Sequence, residues 1–249
     1  MPRLSVNLNK IALLRNSRRT SVPDVMQFGR IAHDAGADGL TMHPRPDERH
    51  IRRDDVLGAA RLMEPWRSGF ELNIEGYPDE RLLDLVRQVK PEQCTLVPDA
   101  PGVLTSEEGW TLGPDQRAMV LPALAALKQI GARVILFVNP DPDIVEHVRD
   151  LGADGIEIYT GGYAAAFRDG APEALCRACA ATAQRAGEMG LVVNIGHDLN
   201  LDNLPPLVAA MPGFAEASIG HELTADALVM GFAAAVRAYR AALNSSTRG

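Results

Sequence analysis

The chain has 249 residues, of which 46% are hydrophobic and 23% are charged. That length and composition are typical of a globular protein with a sizeable buried core, and they exclude a disordered chain. The 25 basic and 32 acidic residues leave a net charge of −7, which offers no electrostatic basis for binding nucleic acid or an anionic membrane.

Two further features bear on where the protein works. The longest apolar run, 227–236, is far shorter than the roughly 18 residues that a membrane span requires. The chain shows no apolar signal segment near its start, and its three cysteines are an odd count, too few for a disulfide scaffold. We therefore expect a cytoplasmic protein with no membrane partner.

Strand and helix patterns alternate regularly along the chain. Amphipathic helical stretches, for instance 79–90, 114–130 and 172–189, separate short apolar segments, and several helices end at a glycine just before the next strand. Eight such units in about 250 residues predict a single-domain (β/α)₈ TIM barrel with extra helices over 1–249, of the α/β class. The predicted strands are 4–9, 39–43, 70–75, 93–98, 133–139, 155–160, 191–196 and 216–220.

Several of these strands alternate apolar and polar residues, although parallel strands buried on both faces are normally apolar throughout. In the first strand, Leu4 and Val6 alternate with Ser5 and Asn7. The apolar face must meet the helix layer, so the polar face is predicted to line the lumen. Because buried polar groups are costly unless they are paired, a polar lumen indicates a reaction chamber.

Titratable residues cluster at the carboxyl ends of the predicted strands, where barrels of this kind place their active sites. Histidine and carboxylate together suit proton transfer near neutral pH. His43 and His197 can also be read as structural histidines, and His50 as a solvated loop residue, but the two carboxylates expected in the same lumen favour catalysis. The candidates are His43, His50, His197 and His221 with Glu75 and Glu157.

Two segments suit phosphate. Ser218-Ile219-Gly220-His221 precedes a predicted helix start, and loops after the last two strands of a barrel often bind phosphate there. The basic segment 15–20 follows the first strand, and Arg45 offers a possible bidentate contact. Lysines are scarce, and only Lys10 is placed where a Schiff base would form. Segment 98–113 is a candidate lid.

Two rival interpretations stay open from the residues alone. Two histidines and two carboxylates in a barrel mouth also suit a metal-dependent sugar-phosphate isomerase or epimerase. A non-catalytic binder of phosphorylated metabolites would need the same phosphate contacts without the proton chemistry.

Taken together, eight segments resemble pyridoxine 5′-phosphate synthase of the deoxyxylulose-dependent vitamin B6 pathway. They span nearly the whole chain in one order and are highly specific as a set. They are VNLN (6–9) with LLRNSRRTSVPD (13–24), AGADGLTMHPRPDERHI (35–51), NIE (73–75), LVPDAPGVLTSEEGW (96–110), GIEIYTGGYA (155–164), VNIGHDL (193–199) and SIGHELTADAL (218–228).

The resemblance implies a (β/α)₈ barrel assembled as a homo-octamer, and a transferase that needs no metal and no organic cofactor. Its reaction would be a ring-closing condensation of 3-amino-2-oxopropyl phosphate with 1-deoxy-D-xylulose 5-phosphate. The products would be pyridoxine 5′-phosphate, phosphate and water.

The resemblance also implies residue roles. His43 and Glu75 would accept protons, His197 would donate one, and Glu157 would stabilise charge in the transition state. Contacts to the aminoketone phosphate would come from Asn7, Arg18, Gly220 and His221. Contacts to the deoxyxylulose phosphate would come from Arg45, His50 and Thr105, and from the positions of Asn9 and Lys10.

The chain departs from the family pattern at a few positions in the predicted site. Asn9-Lys10 replaces a common Asp-His pair, and Tyr159 replaces a common histidine. Asp198 stands where the family commonly has a glycine that contacts the second phosphate, and Pro44-Arg45-Pro46-Asp47 replaces Leu-Arg-Glu-Asp. The four acid–base residues are intact, which predicts a divergent subgroup with the same reaction.

Overall fold

The computed structural model describes residues 1–99, 108–211 and 213–244. Its strands are β1 (Arg3–Asn7), β2 (Gly39–Met42), β3 (Glu71–Gly76), β4 (Gln93–Leu96), β5 (Arg133–Val138), β6 (Gly155–Tyr159), β7 (Val192–Gly196) and β8 (Glu216–Ile219). The helices in the described residues are α1 (Asn9–Asn16), α2 (Val25–Asp34), α3 (Arg53–Met63), α4 (Glu80–Val89), α5 (Pro114–Ile130), α6 (Ile144–Leu151), α7 (Gly161–Arg168), α8 (Glu173–Glu188), α9 (Leu204–Ala210), α10 (His221–Met230) and α11 (Phe232–Leu243).

The eight strands form one closed parallel barrel in sequence order, with β1 paired to both β2 and β8. One main helix connects each strand to the next, and α1, α7 and one of the pair α10–α11 are additional. The prediction of a (β/α)₈ barrel with extra helices is confirmed. Because all strands run the same way, the residues at their carboxyl ends meet at one mouth.

Local sequence sets where the helices begin and end. The Asp79 carboxylate accepts the Leu82 backbone N–H at 2.8 Å and caps α4 at its start. Gly131 and Gly152 end α5 and α6 with φ values of 89° and 80°, a left-handed conformation that side chains disfavour. None of the helices in the described residues is long and apolar enough to cross a membrane.

The alternating strand pattern divides the interior into two layers. Leu4 and Val6 of β1 are buried in the apolar layer between the strands and the helices. Ser5 between them points into the lumen, where its hydroxyl shares a 2.7 Å hydrogen bond with Thr41 of β2. The amide N–H of Asn73 donates to the same Thr41 hydroxyl at 3.3 Å, and the amide oxygen of Asn73 accepts a hydrogen bond from Thr95 at 3.1 Å. The lumen is therefore polar and hydrogen-bonded, as the alternation predicts.

One predicted boundary is wrong in an informative way. The first strand ends at Asn7, and α1 begins at Asn9, so Arg15 lies in a helix and not in a basic loop. Arg15 is buried, and its Nη2 donates to Asp55 at 2.8 Å, which makes it a structural cation. The apolar run 227–236 is two helices, because Gly231 has a φ of 84° and breaks it.

Candidate active site

A cavity of about 790 Å³ opens at the carboxyl ends of the strands. Most of the residues predicted as site residues line it, and they come from six different strand ends and the loops that follow them. The lining residues are Asn7, Asn9, Lys10, Leu13, His43, Arg45, Arg49, His50, Glu75, Glu157, Tyr159, His197, Asp198, Ser218, Gly220 and His221.

The first acid–base pair sits where β2 and β3 end. The Nδ1 atom of His43 lies 3.9 Å from Oε2 of Glu75, and both side chains are buried. Asn7 donates to the same carboxylate oxygen at 3.5 Å. The backbone N–H of His43 donates to Asn9 Oδ1 at 3.0 Å, which fixes the histidine relative to the start of α1. Two asparagines from the β1 end thus position the pair.

Glu157 of β6 occupies space that only a glycine on the neighbouring strand leaves open. A Cβ atom added to Gly196 would lie 2.4 Å from Glu157 Oε1. Glu157 is 1% exposed, yet it lines the cavity. A larger residue at position 196 would displace the carboxyl group from the cavity wall.

Burial shifts both cavity carboxyls toward the protonated form. Burial, followed by the charge of Asp99, raises the pKa of Glu75 to about 7. Burial, followed by the charge of Glu75, raises the pKa of Glu157 well above its ordinary value. Near neutral pH, Glu75 therefore exchanges a proton readily, while Glu157 retains one.

The two histidines at the mouth shift toward the neutral form. Burial, followed by the charge of Arg45, lowers the pKa of His43 well below its ordinary value. Burial also lowers the pKa of His197, although Asp198 opposes that shift. The ring of His197 contacts Phe137 and Tyr159, with ring centres 4.9 Å and 5.4 Å apart. Neutral imidazoles can accept protons and, once charged, return them.

Cations lie on the rim of the cavity on the side of β1 and β2. Arg45 is buried, and its Nη2 lies 2.5 Å from Asp99, so the guanidinium is held in one place. The Ile51 N–H donates to His50 Nδ1 at 2.9 Å, which leaves the ring proton on Nε2. Burial, then the charges of Arg45 and Lys10, lower the pKa of His50 to about 4. The rim is therefore suited to binding an anion.

Next to this rim, the end of β8 leads into a helix start. Gly220 precedes α10, whose first residue is His221, and both residues line the cavity. A Cβ atom at Gly220 would approach the Asn7 side chain to 3.0 Å, so glycine permits this close packing. Free backbone N–H groups at a helix start bind phosphate well.

The remaining predicted site residues lie outside the cavity lining or outside the described residues. Arg18 is exposed beyond α1 and lies outside the cavity lining. Thr105 and half of the candidate lid 98–113, residues 100–107, lie outside the described residues. Sequence reasoning missed Leu13 and Arg49 as lining residues. Ser218, which the sequence puts in the candidate phosphate segment, lines the cavity, and it shares strand parity with Glu216.

A metal site formed by the mouth residues would require three or more ligands within reach of one ion. Over the ranges 1–99, 108–211 and 213–244, no group of three or more histidine, cysteine, aspartate or glutamate side chains has such an arrangement. In the part of the chain described, His43, Glu75, Glu157 and His197 thus do not form a ligand set.

Sequence comparisons give a consistent result. The family model described as "Pyridoxal phosphate biosynthesis protein PdxJ" matches residues 4–245. The chain is 48% identical over 243 residues to pyridoxine 5′-phosphate synthase of Chelativorans sp. (strain BNC1), covering 96% of this chain and 98% of that protein. It is 49% identical over 244 residues to the synthase of Brucella suis (strain ATCC 23445 / NCTC 10510), covering 97% and 98%.

Solved structures similar to this one share its fold at low sequence identity. Tryptophan synthase from M. tuberculosis superimposes with a TM-score of 0.65 at 13% identity, covering 97% of this chain and 92% of that one. Thiamine phosphate pyrophosphorylase from Pyrococcus furiosus gives a TM-score of 0.60 at 12% identity, covering 98% and 96%. These likenesses concern the barrel architecture alone.

Proposed function

Since the chain belongs to the PdxJ family of pyridoxal phosphate biosynthesis proteins, we propose that its barrel mouth is the active site of a pyridoxine 5′-phosphate synthase. The reaction condenses 3-amino-2-oxopropyl phosphate with 1-deoxy-D-xylulose 5-phosphate. It closes an aromatic ring and releases phosphate and water.

The chemistry of this condensation fits the inventory of the cavity. The amine of one substrate attacks the ketone of the other, so the imine forms between the substrates and needs no enzyme lysine. Lys128 lies on α5 and pairs with Asp154 at 3.1 Å, and Lys90 ends α4, so neither is in the cavity. Dehydration, loss of phosphate and aromatisation instead require several proton transfers by separate groups.

The acid–base residues fall into complementary roles. Glu75 and His43 are the proton acceptors, and their pKa directions leave both available near neutral pH. His197 is the proton donor once it has taken up a proton, because burial lowers its pKa, opposed in part by Asp198, and so makes its charged form a ready acid. Glu157 stabilises charge that develops in the substrate, from a position on the cavity wall opposite the cationic rim.

The two phosphates bind at two separate places. Gly220 and His221 at the start of α10, with Asn7, receive the aminoketone phosphate, and Arg18 assists from outside the cavity lining. Arg45, His50, Lys10 and Asn9 receive the deoxyxylulose phosphate, together with Thr105. Asp198 lines the cavity, and its carboxylate must turn away from the bound anion.

The observation that carries the proposal is a pair of buried carboxyls, Glu75 and Glu157, that face a cavity rimmed by cations. Neither has an arginine or lysine partner among the described residues. The test mixes metal-stripped protein with both phosphorylated substrates and follows pyridoxine 5′-phosphate by mass and phosphate by colour assay. Product with equimolar phosphate is expected. No product, under conditions in which the Brucella suis relative works, would overturn the proposal.

We also propose a homo-octamer that works in the cytoplasm. Apolar side chains on neighbouring helices α1 and α10 support association, since Leu228 and Val229 are 80% and 90% exposed and Leu14 is 52% exposed. Light scattering of the purified protein should give eight times the chain mass. A monomer mass at micromolar concentration would contradict this assembly.

A further inference from the structure

Three polar residues form a row on adjacent strands inside the barrel. Glu157 of β6 pairs in register with Asn194 of β7, and Asn194 pairs in register with Glu216 of β8. All three are 1–2% exposed. Glu157 lines the cavity, whereas Asn194 and Glu216 are not among the lining residues described. Asn194 is thus the polar neighbour of Glu157 on the side away from substrate.

The orientation of the Asn194 amide follows from its hydrogen bonds. Arg133, which has only donors, gives bonds of 3.1 Å and 2.9 Å to one atom of the Gln93 amide, so that atom is the oxygen. The other end of Gln93 donates to Glu216 at 3.2 Å. Asn194 contacts the same Gln93 oxygen at 3.1 Å and must present its Nδ2 there. Its Oδ1 is therefore a fixed acceptor.

Two buried oxygens in this row lack a donor among the described residues. They are Oδ1 of Asn194 and Oε2 of Glu157. A buried acceptor that has no hydrogen-bond donor destabilises the folded protein. An ionised Glu157 has nothing to donate and leaves both oxygens unsatisfied. A protonated Glu157 becomes a donor, and one proton can then satisfy the amide oxygen and neutralise the carboxyl.

We propose that Asn194 is a positioning residue that keeps Glu157 protonated, with the proton directed from Oε2 to Asn194 Oδ1. The charged groups that act on Glu157 are Glu75 of β3 and Glu216 of β8, and both oppose its ionisation. His43 and His197 beside them are shifted toward the neutral form.

The consequence is a division of labour between the two cavity carboxyls. Two carboxyls in one site do not readily ionise together, and the surroundings decide which retains the proton. Asn194 assigns the proton to Glu157, so Glu75 is the one that ionises and serves as the base. The location of the proton concerns the resting enzyme, whereas this catalytic consequence rests on the proposed function.

Infrared spectroscopy of the resting enzyme tests the location of the proton. At about pH 8, wild type should show the C=O stretch of a buried carboxylic acid that Glu157→Gln abolishes. Asn194→Leu should weaken that band at about pH 8, because Glu157 then loses its proton more readily. Asn194→Asp, which retains an acceptor but also loses the bond to Gln93, should retain an acid band. Thr95→Val, which removes another lumen hydrogen bond, is the matched control and should leave the band unchanged.

Two infrared outcomes would overturn the proposal. One is a wild-type spectrum with no carboxylic acid band that Glu157→Gln removes. This measurement does not depend on whether an Asn194 variant folds. The other is an unchanged band in Asn194→Leu. Either result would leave the proposed reaction untouched.

Kinetics test the consequence for turnover. Asn194→Leu should lower kcat roughly 10- to 100-fold with KM within about threefold. In this variant the fall of kcat on the acidic side of the pH profile should also move to higher pH, because an ionised Glu157 makes Glu75 harder to ionise. A role in packing alone would lower kcat without moving the acidic side of the profile, and this result would contradict the division of labour.

Discussion

Strand β3 carries two glutamates, four residues apart on the same face, that differ in their hydrogen-bond partners and in the direction of their pKa shifts. Glu71 lies at the barrel floor, where Arg3 donates to one carboxylate oxygen and Arg133 donates to the other at 2.5 Å. Glu75 lies at the mouth, where one side chain among those described donates to it, the amide of Asn7 at 3.5 Å. Within the described ranges, the same residue type is therefore paired with arginines at one end of the lumen and has no arginine or lysine partner at the other.

Their pKa directions reflect this difference. Burial raises the pKa of Glu71, but hydrogen bonds from Arg133 and Arg3 outweigh burial and bring it below its ordinary value. At Glu75, burial and Asp99 prevail over Arg45, and the pKa rises to about 7. The floor is built to hold a fixed charge, and the mouth is built to exchange a proton. We therefore expect a substitution of Glu75 to lower activity and a substitution of Glu71 to lower stability.

The largest effect is expected at the mouth. Glu75→Gln should lower kcat by roughly 10²- to 10⁴-fold, because the proton acceptor is lost while the shape of the side chain is kept. KM for both substrates should change little, since the phosphate contacts are elsewhere. Steady-state kinetics with each substrate varied in turn would check this. A kcat within about twofold of wild type would remove Glu75 from the proton transfers.

The matched change at the floor should act on stability instead. Glu71→Gln leaves Arg3 and Arg133 without their carboxylate partner and should lower the free energy of unfolding by about 1–3 kcal/mol. The partial exposure of this network limits the loss. Urea unfolding gives the change in stability, and kcat should stay within about threefold. A large loss of kcat with unchanged stability would invalidate the contrast between the two ends.

A smaller effect is expected at Glu216, which lies at the floor but shares the electrostatics of the mouth. Burial, only partly opposed by Arg3, raises its pKa to about 7. A carboxyl whose folded pKa exceeds its unfolded value stabilises the fold below the unfolded pKa, and this contribution is lost as pH rises through about 7. Glu216→Gln should therefore gain about 1–2 kcal/mol relative to wild type at about pH 8 and nothing near pH 4. Urea unfolding at both pH values would reveal an equal effect at each if Glu216 did not titrate.

The sequence predicts the mouth better than the floor, for a physical reason. A strict alternation such as Glu71-Leu72-Asn73-Ile74-Glu75 shows which residues face the lumen, and the parallel fold brings strand ends together. The catalytic candidates could thus be selected, and all eight strands were placed to within a few residues. Local glycines, such as Gly131, marked where helices end.

The ion network at the floor could not be predicted, because it depends on distances across the closed barrel. Arg3 and Arg133 lie 68 and 62 residues from Glu71 along the chain. From the sequence alone, an arginine at the start of a strand is expected to be exposed to solvent, because its partners on other strands are not yet known. The same limit applies to Asn194, whose fixed amide oxygen emerges only from the hydrogen bonds of Arg133 and Gln93.

The pH dependence of kcat at saturating substrate tests most directly whether Glu75, the carboxyl at the barrel mouth, is the base. Wild type should lose activity about tenfold per pH unit below about pH 7, as Glu75 takes up its proton. The limb should be absent from the residual activity of Glu75→Gln and intact in Glu71→Gln. A wild-type rate that stays constant down to about pH 5, or an unchanged limb in Glu75→Gln, would contradict the account.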